Sequence, residues 1–163
     1  DNTYSIIIDG MEHQIYQCSD SLIKGSTFSG KKGYHTFTKL LGVNKEGRIW
    51  FLSKSYPGGI SDSNLAQFEV NQMYKQLEKD EKIAADLGFQ GLERLSILTN
   101  LAGPKTSEQK RFNRVFKHFR SVVENSISHL RKWKICSNKF DGKVKQLSKA
   151  RETHDYITRI VAG

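Results

Sequence analysis

Cysteine is scarce in this chain of 163 residues, with Cys18 and Cys136 the only two. Two thiols are too few for a disulfide scaffold, and neither has a CxxC or histidine companion at zinc-finger spacing, so reduced thiols of an intracellular protein are expected. Long apolar runs are missing too: none approaches the roughly 18 residues of a membrane span, and no signal peptide is visible. Repeats and low-complexity tracts are absent. Acidic residues are in deficit, 17 against 26 lysines and arginines, which leaves a formal net charge of +9 and a pI near 9.6. That excess implies an acidic partner, for which nucleic acid is the common case and an anionic membrane surface the rarer one. The chain opens on Asp1 rather than methionine, so an excised domain with something upstream is expected. With 37% hydrophobic and 10% aromatic residues, the composition argues against disorder and for one domain spanning 1–163 with a sizeable core.

Thr106 to Lys134 predicts one long helix. At about 100° per residue, Phe112, Val115, Phe116, Phe119, Val122, Val123, Ile127, Leu130 and Trp133 share one apolar arc. Lys117, Arg120, Glu124, Ser128 and Arg131 fall on a narrower arc beside it, which sets one acid among cations at the edge of the core. The start is marked by Thr106 with Gln109 three residues on, a capping-box pattern just after Gly103 and Pro104.

Upstream, Tyr4 to Ile8 is a β-branched run suited to a strand buried on both faces, ending at Asp9-Gly10. An acid at a central strand end is notable, although a turn aspartate before glycine is the commoner meaning. Met11 to Ser26 is mixed and polar, a small ribbon or loop. Residues 28–35, FSGKKGYH, form a basic glycine-rich connection that either holds phosphate or turns the chain. Phe37 to Val43 and Arg48 to Ser53 form a hairpin about Asn44 to Gly47. After Tyr56 to Gly59, Ser61-Asp62-Ser63 caps a helix running to about Glu78 with Leu65, Phe68 and Leu77 inward, and Asp62 is taken as its N-cap. Lys82 to Ala85 is a short strand ending at a second acid, Asp86, again with a turn as the bland alternative. SILTN (residues 96–100) is a short extended piece. Lys143 to Val161 is a final helix with Val144, Leu147, Ala150, His154, Ile157 and Val161 on one side.

The order is therefore strand with acid, hairpin, helix opening on acid, strand with acid, helix with acid. Carboxylates converging on one point repel unless divalent cations sit between them, and hard oxygen ligands select Mg²⁺ or Mn²⁺. A pair of such ions suits in-line displacement at a phosphodiester. Six blocks, IIIDG, FSGKKGYHTF, YPGGISDSNL, ADLGFQG, EQKRFNR and FRSVVENSISHLRKWKI, resemble in order and spacing the nuclease domain of Harbinger/PIF-type DDE transposases and their domesticated nuclease relatives, over nearly the whole chain.

The resemblance implies an α/β, ribonuclease H-like mixed sheet flanked by helices, a two-ion Mg²⁺ or Mn²⁺ site, DNA as substrate and a nuclear setting. Carried over by position, Asp9, Asp86 and Glu124 are the catalytic acids. Asp62 matches the aspartate of the family's His-Asp-Ser block and is a further candidate metal ligand; whether Asp62 or Asp86 is the second member stays open, with Asp86 preferred because an N-cap already has a structural task. Arg120 and Arg131 match basic positions around the helical acid of the related bacterial transposase signature, whose tyrosine is Lys117 here. Lys31, Lys32, Lys117, Arg120 and Arg131 are the candidate DNA contacts. Ser61 and Leu87 depart from a usual histidine and a usual basic residue, and neither change removes a carboxylate. Specificity is left to an upstream helix-turn-helix segment or a separate Myb-like DNA-binding partner, and homo-oligomerisation stays open. The rival reading is a domesticated, non-cleaving DNA-binding or scaffold protein. A structured-RNA binder lacks any recognition motif.

Overall fold

The computed structural model describes residues 5–17, 19–78, 81–92, 97–141 and 147–163. Strand β1 (Ile6–Gln14) is the spine. It pairs antiparallel with β3 (Tyr34–Asn44) from Ile6↔Asn44 to Gln14↔Thr36. On its other side it pairs parallel with β6 (Ile83–Ala85), from Ile6↔Ile83 to Ile8↔Ala85. β7 (Ile97–Thr99) extends that side in parallel. β2 (Phe28–Ser29), β4 (Ile49–Leu52) and β5 (Tyr56–Pro57) all pair antiparallel with β3, completing a mixed sheet of seven strands. This is the α/β, ribonuclease H-like arrangement expected, with the strands leading to Asp9 and Asp86 adjacent and parallel.

Alternation along β1 builds two cores, because successive side chains of a strand point to opposite faces. Ile6 and Ile8 join Leu40, Ile83 and Ala85 against Leu65, Ala66, Val70 and Met73 of α2 (Asp62–Tyr74). Ile7 joins Leu41, Val43 and Ala84 against Phe116, Val123, Ile127 and Leu130 of α3 (Ser107–Arg131). Each fully buried aliphatic side chain contributes about 1.5–3 kcal/mol, so these alternating strands fix which helix covers which face. Ser126 of α3 donates its hydroxyl to the carbonyl of Gly47 at 2.8 Å, pinning the helix to the β3–β4 turn. Gly47 has φ 79° there, a backbone state that favours glycine.

A third cluster, Ile15, Phe37, Phe140 and Ala150, lies beneath α5 (Leu147–Ala162). Helix α5 is anchored by polar groups as well. Lys39, wholly buried in mid-strand, donates to Asp155 at 2.6 Å and to the Ser53 carbonyl at 3.0 Å. His154 contacts the Ser55 hydroxyl at 2.6 Å and His13 at 2.8 Å, and His13 reaches the Asn138 carbonyl at 2.6 Å.

Several expectations are corrected. The stretch after Gly10 is strand through Gln14, followed by helix α1 (Ser21–Thr27), because Met11 and His13 continue the alternation into the core. Helix α2 ends at Tyr74, and Phe68 is 66% exposed, stacked at 5° on Tyr56 rather than inward. Leu77 lies past the helix and is partly buried against the α2 core. On α3, Val115 is exposed, and Trp133 lies beyond the helix, exposed before the short α4 (Lys134–Ser137). Cys136 is a free, buried thiol pushed up by that burial. Tyr4, Cys18, Lys143 and Val144 lie outside the described residues. Among the described residues no helix is long and apolar enough to cross a membrane.

Candidate functional site

The parallel ladder between β1 and β6 stops at Ile8↔Ala85. Asp9 and Asp86 are the next residue on each strand. By alternation both share the side of Ile7 and Ala84, the face that α3 covers. Asp9 is therefore not at a strand end, as expected, but within β1, opposite Leu41 of β3. What ends beside it is its neighbour: β6 gives way at Asp86 to a single 3₁₀ turn (Leu87–Phe89), for which the Asp86 carboxylate accepts from the Leu87 amide at 2.6 Å. The gap left alongside β1 lets side chains from the two faces approach one another.

From the opposite face comes Asp62. Its expected role as N-cap of α2 falls to Ser61, whose hydroxyl accepts from the Asn64 amide; Asp62 is the first helical residue. Its carboxylate lies between two glycines. A Cβ on Gly10 would stand 2.8 Å from Asp62 Oδ1, and one on Gly88 would stand 3.0 Å from Oδ2. Glycine at both positions permits this approach of a carboxylate to the backbone. Lys31, in the turn after β2, sits 3.4 Å from Asp62 Oδ2. Lys32, next to it, is exposed.

Electrostatics link these groups. Burial pushes the Asp9 carboxyl above its ordinary value, the Gly10 amide that donates to it at 2.8 Å pulls it back, and the charges of Asp62 and Asp86 raise it while Lys31 lowers it. Glu124 joins through a cation. The Arg120 guanidinium lies 2.9 Å from Glu124, one helical turn on, and 3.3 Å from Asp86, so one side chain bridges the helix acid and the strand acid. Lys117 is exposed on the same helix, and Arg131 turns toward the Glu12 carbonyl at 3.5 Å, at the outer limit of a hydrogen bond.

The donor set, carboxylate oxygens throughout, fits a hard divalent cation. Its arrangement does not close on one: among the described residues no three His, Cys, Asp or Glu side chains form a group able to hold a metal ion. Arg120 and Lys31 lie within ion-pair distance of three of these carboxylates, those of Asp86, Glu124 and Asp62. Sequence reasoning gave Arg120 to phosphate and missed this bridge, although its spacing of four from Glu124 on a helix was a usable signal. It also missed the Gly10 and Gly88 cradle, which depends on a contact between distant segments.

A mixed sheet with Asp9 within β1, Asp86 just past the adjacent parallel strand and a helical acid tied to it through Arg120 is the arrangement expected of a DDE-class domain, and a family model matches it. The DDE superfamily endonuclease model matches residues 8–163, so the chain belongs to that family. Among curated proteins it is 33% identical over 120 residues to a probable transposase for insertion sequence element IS702 from Microchaete diplosiphon, covering 69% of this chain and 42% of that protein. It is 26% identical over 106 residues to the putative nuclease HARBI1 of Mus musculus, covering 64% of this chain and 30% of that protein. The aligned region thus spans less than half the length of either relative. No solved structure matches.

Proposed function

We propose that this chain is the catalytic domain of a Harbinger-like DDE transposase, a DNA endonuclease that cuts a phosphodiester and joins the freed 3′-hydroxyl to target DNA. The observation that carries the reading is the meeting of Asp9, Asp62 and Asp86 in one electrostatic field, with Glu124 tied to Asp86 through Arg120. Asp9, Asp86 and Glu124 act as the catalytic acids, and Asp62 is a further ligand whose Gly10 and Gly88 cradle holds it at the rim. These carboxylates would hold Mg²⁺ or Mn²⁺, two ions in all, and the metal would supply Lewis-acid activation of a water or a 3′-hydroxyl. The carboxylates hold and orient. Lys31, Lys32, Lys117, Arg120 and Arg131 take phosphates, in line with the +9 net charge. In a eukaryotic cell the domain works in the nucleus, with an N-terminal segment or a Myb-like partner selecting the sequence, and it acts as a homo-oligomer if both transposon ends are cut together.

One observation favours a second reading, a non-cleaving DNA-binding descendant: Asp62, Asp86 and Glu124 are each paired with one of the protein's own cations. Glu124→Gln decides between them. It keeps shape and hydrogen bonding and removes one negative charge, so Mn²⁺-supported nicking of plasmid DNA should fall by about 10²-fold or more, the scale of a lost electrostatic stabiliser, while DNA binding persists. Wild-type nicking that survives the substitution removes Glu124 from the chemistry. A wild type that binds DNA but never nicks, with its specificity partner supplied, favours the binder.

A further inference from the structure

Arg120 holds two acids at once. Its Nε lies 2.9 Å from Glu124 Oε1 and its NH1 lies 3.3 Å from Asp86 Oδ2, so its guanidinium occupies oxygens that the proposed chemistry needs for a metal ion. Both partners come from different elements, the long helix and the end of β6, and the fork geometry of arginine suits such bridging better than a lysine ammonium would. The bridge is half exposed, with Arg120 at 47% and Glu124 at 51%. Pairs so placed are screened and weak, each holding its partner by about two- to fivefold in an equilibrium constant. A dication attracted to the same carboxylates can therefore displace it.

We infer that Arg120 is a positioning residue that exchanges partners: it closes the carboxylate site in the absence of metal, and metal uptake releases its guanidinium to a DNA phosphate at the same rim. This rests on the reading of the site as metal-dependent. The exchange couples two ligands through one side chain. Metal uptake costs the Asp86 and Glu124 contacts, and phosphate regains for Arg120 what it loses, so each ligand favours the other. Lys31 on Asp62 is a looser version of the same arrangement, at 3.4 Å from a more exposed ammonium.

The test uses the whole chain, Mn²⁺ alone and a short DNA duplex of arbitrary sequence. Mn²⁺ binding is followed by the paramagnetic resonance of the free ion, and duplex binding by anisotropy across a salt series, with and without Mn²⁺. Arg120→Ala should bind Mn²⁺ about two- to fivefold more tightly than wild type. In wild type the salt slope of DNA binding should steepen by about one phosphate contact when Mn²⁺ is added, and in Arg120→Ala it should not change. Arg120→Lys keeps the charge and loses the fork, so it should retain the Mn²⁺-dependent slope with intermediate metal affinity. Equal or weaker Mn²⁺ binding by Arg120→Ala, with binding still abolished in Asp86→Asn, overturns the exchange and leaves the metal-dependent reading standing. Mn²⁺ binding that is absent from wild type, or indifferent to Asp86→Asn, overturns that reading and the exchange with it.

Discussion

At the scale of single residues, the site depends as much on what is small as on what is charged. Gly10 follows Asp9 in β1, and its missing side chain leaves room for the Asp62 carboxylate, whose Oδ1 would stand 2.8 Å from a Cβ placed there. Gly10→Ala should therefore push Asp62 away, costing about 1–3 kcal/mol by overpacking and weakening Mn²⁺ binding if Asp62 is a ligand. Gly25, inside helix α1, has nothing within 4 Å of its Cβ position. Gly25→Ala is the matched control and should be neutral or stabilising by about 0.5–1 kcal/mol. Thermal unfolding and Mn²⁺ titration of both variants check this, and an unperturbed Gly10→Ala would show that the cradle does not constrain the acid. The acids stood out as candidates because each lies beside a local pattern, a β-branched run or an amphipathic helix. The two glycines were visible in sequence only as turn formers, since the contacts that require them join segments far apart in sequence, Gly10 with Asp62 and Asp62 with Gly88.

Among the elements, helix α3 shows which part of a sequence is legible and why. Its start was readable from four residues: Thr106 accepts from the Gln109 amide at 3.2 Å, and Gln109 accepts from the Thr106 amide at 3.1 Å. That signal is local, so sequence alone carries it. The width of its apolar face was not, because burial of an edge position depends on what another element supplies opposite it. Val115 is 49% exposed and Trp133 is 61% exposed, since the sheet beneath fully covers the stripe through Phe116, Val123, Ile127 and Leu130 and only partly its flanks at Phe112, Phe119 and Val122. Asp62 was misplaced by one residue for a related reason: Ser61 and Asp62 are both competent caps, and Ser61 was already in extended backbone at φ −75°, ψ 152°. Thr106→Ala should destabilise the fold by about 1 kcal/mol, measured by urea unfolding, with the m value unchanged. It should leave DNA binding intact at saturating stability, because the cap lies at the opposite end of α3 from Arg131. A DNA-binding loss larger than the stability loss would place the start of the helix on the nucleic acid.

For the whole molecule, the question is how α5 is held to the sheet, because it follows the candidate acids in sequence and closes the structure over β1 and β3. The sequence put His154 on the helix's inner side but could not give it partners, nor show that Lys39, set in the wholly buried run of β3, would find Asp155. His154 is 1% exposed, among Phe37, Phe140 and His13. Burial, then the neighbouring His13 and Lys39, lower its pKa to about 3, against the attraction of Asp155. His13 is lowered as well, chiefly by burial. In the unfolded chain a histidine titrates near about 6.5. Between about 6.5 and about 3 the unfolded state therefore binds a proton that the folded state refuses, so stability is full above that window and falls as pH drops through it. His154 alone contributes a slope of about 1.4 kcal/mol per pH unit there. Asp155, lowered despite its burial by its bonds to Lys39 and Ser55, adds stability that is full above its ordinary value and is lost as pH falls through its lowered one. Wild type should thus unfold at a distinctly lower temperature at pH 5 than at pH 7.5, and His154→Gln, less stable at pH 7.5, should show a flatter pH dependence. Equal pH slopes in the two proteins would mean that His154 is not held neutral.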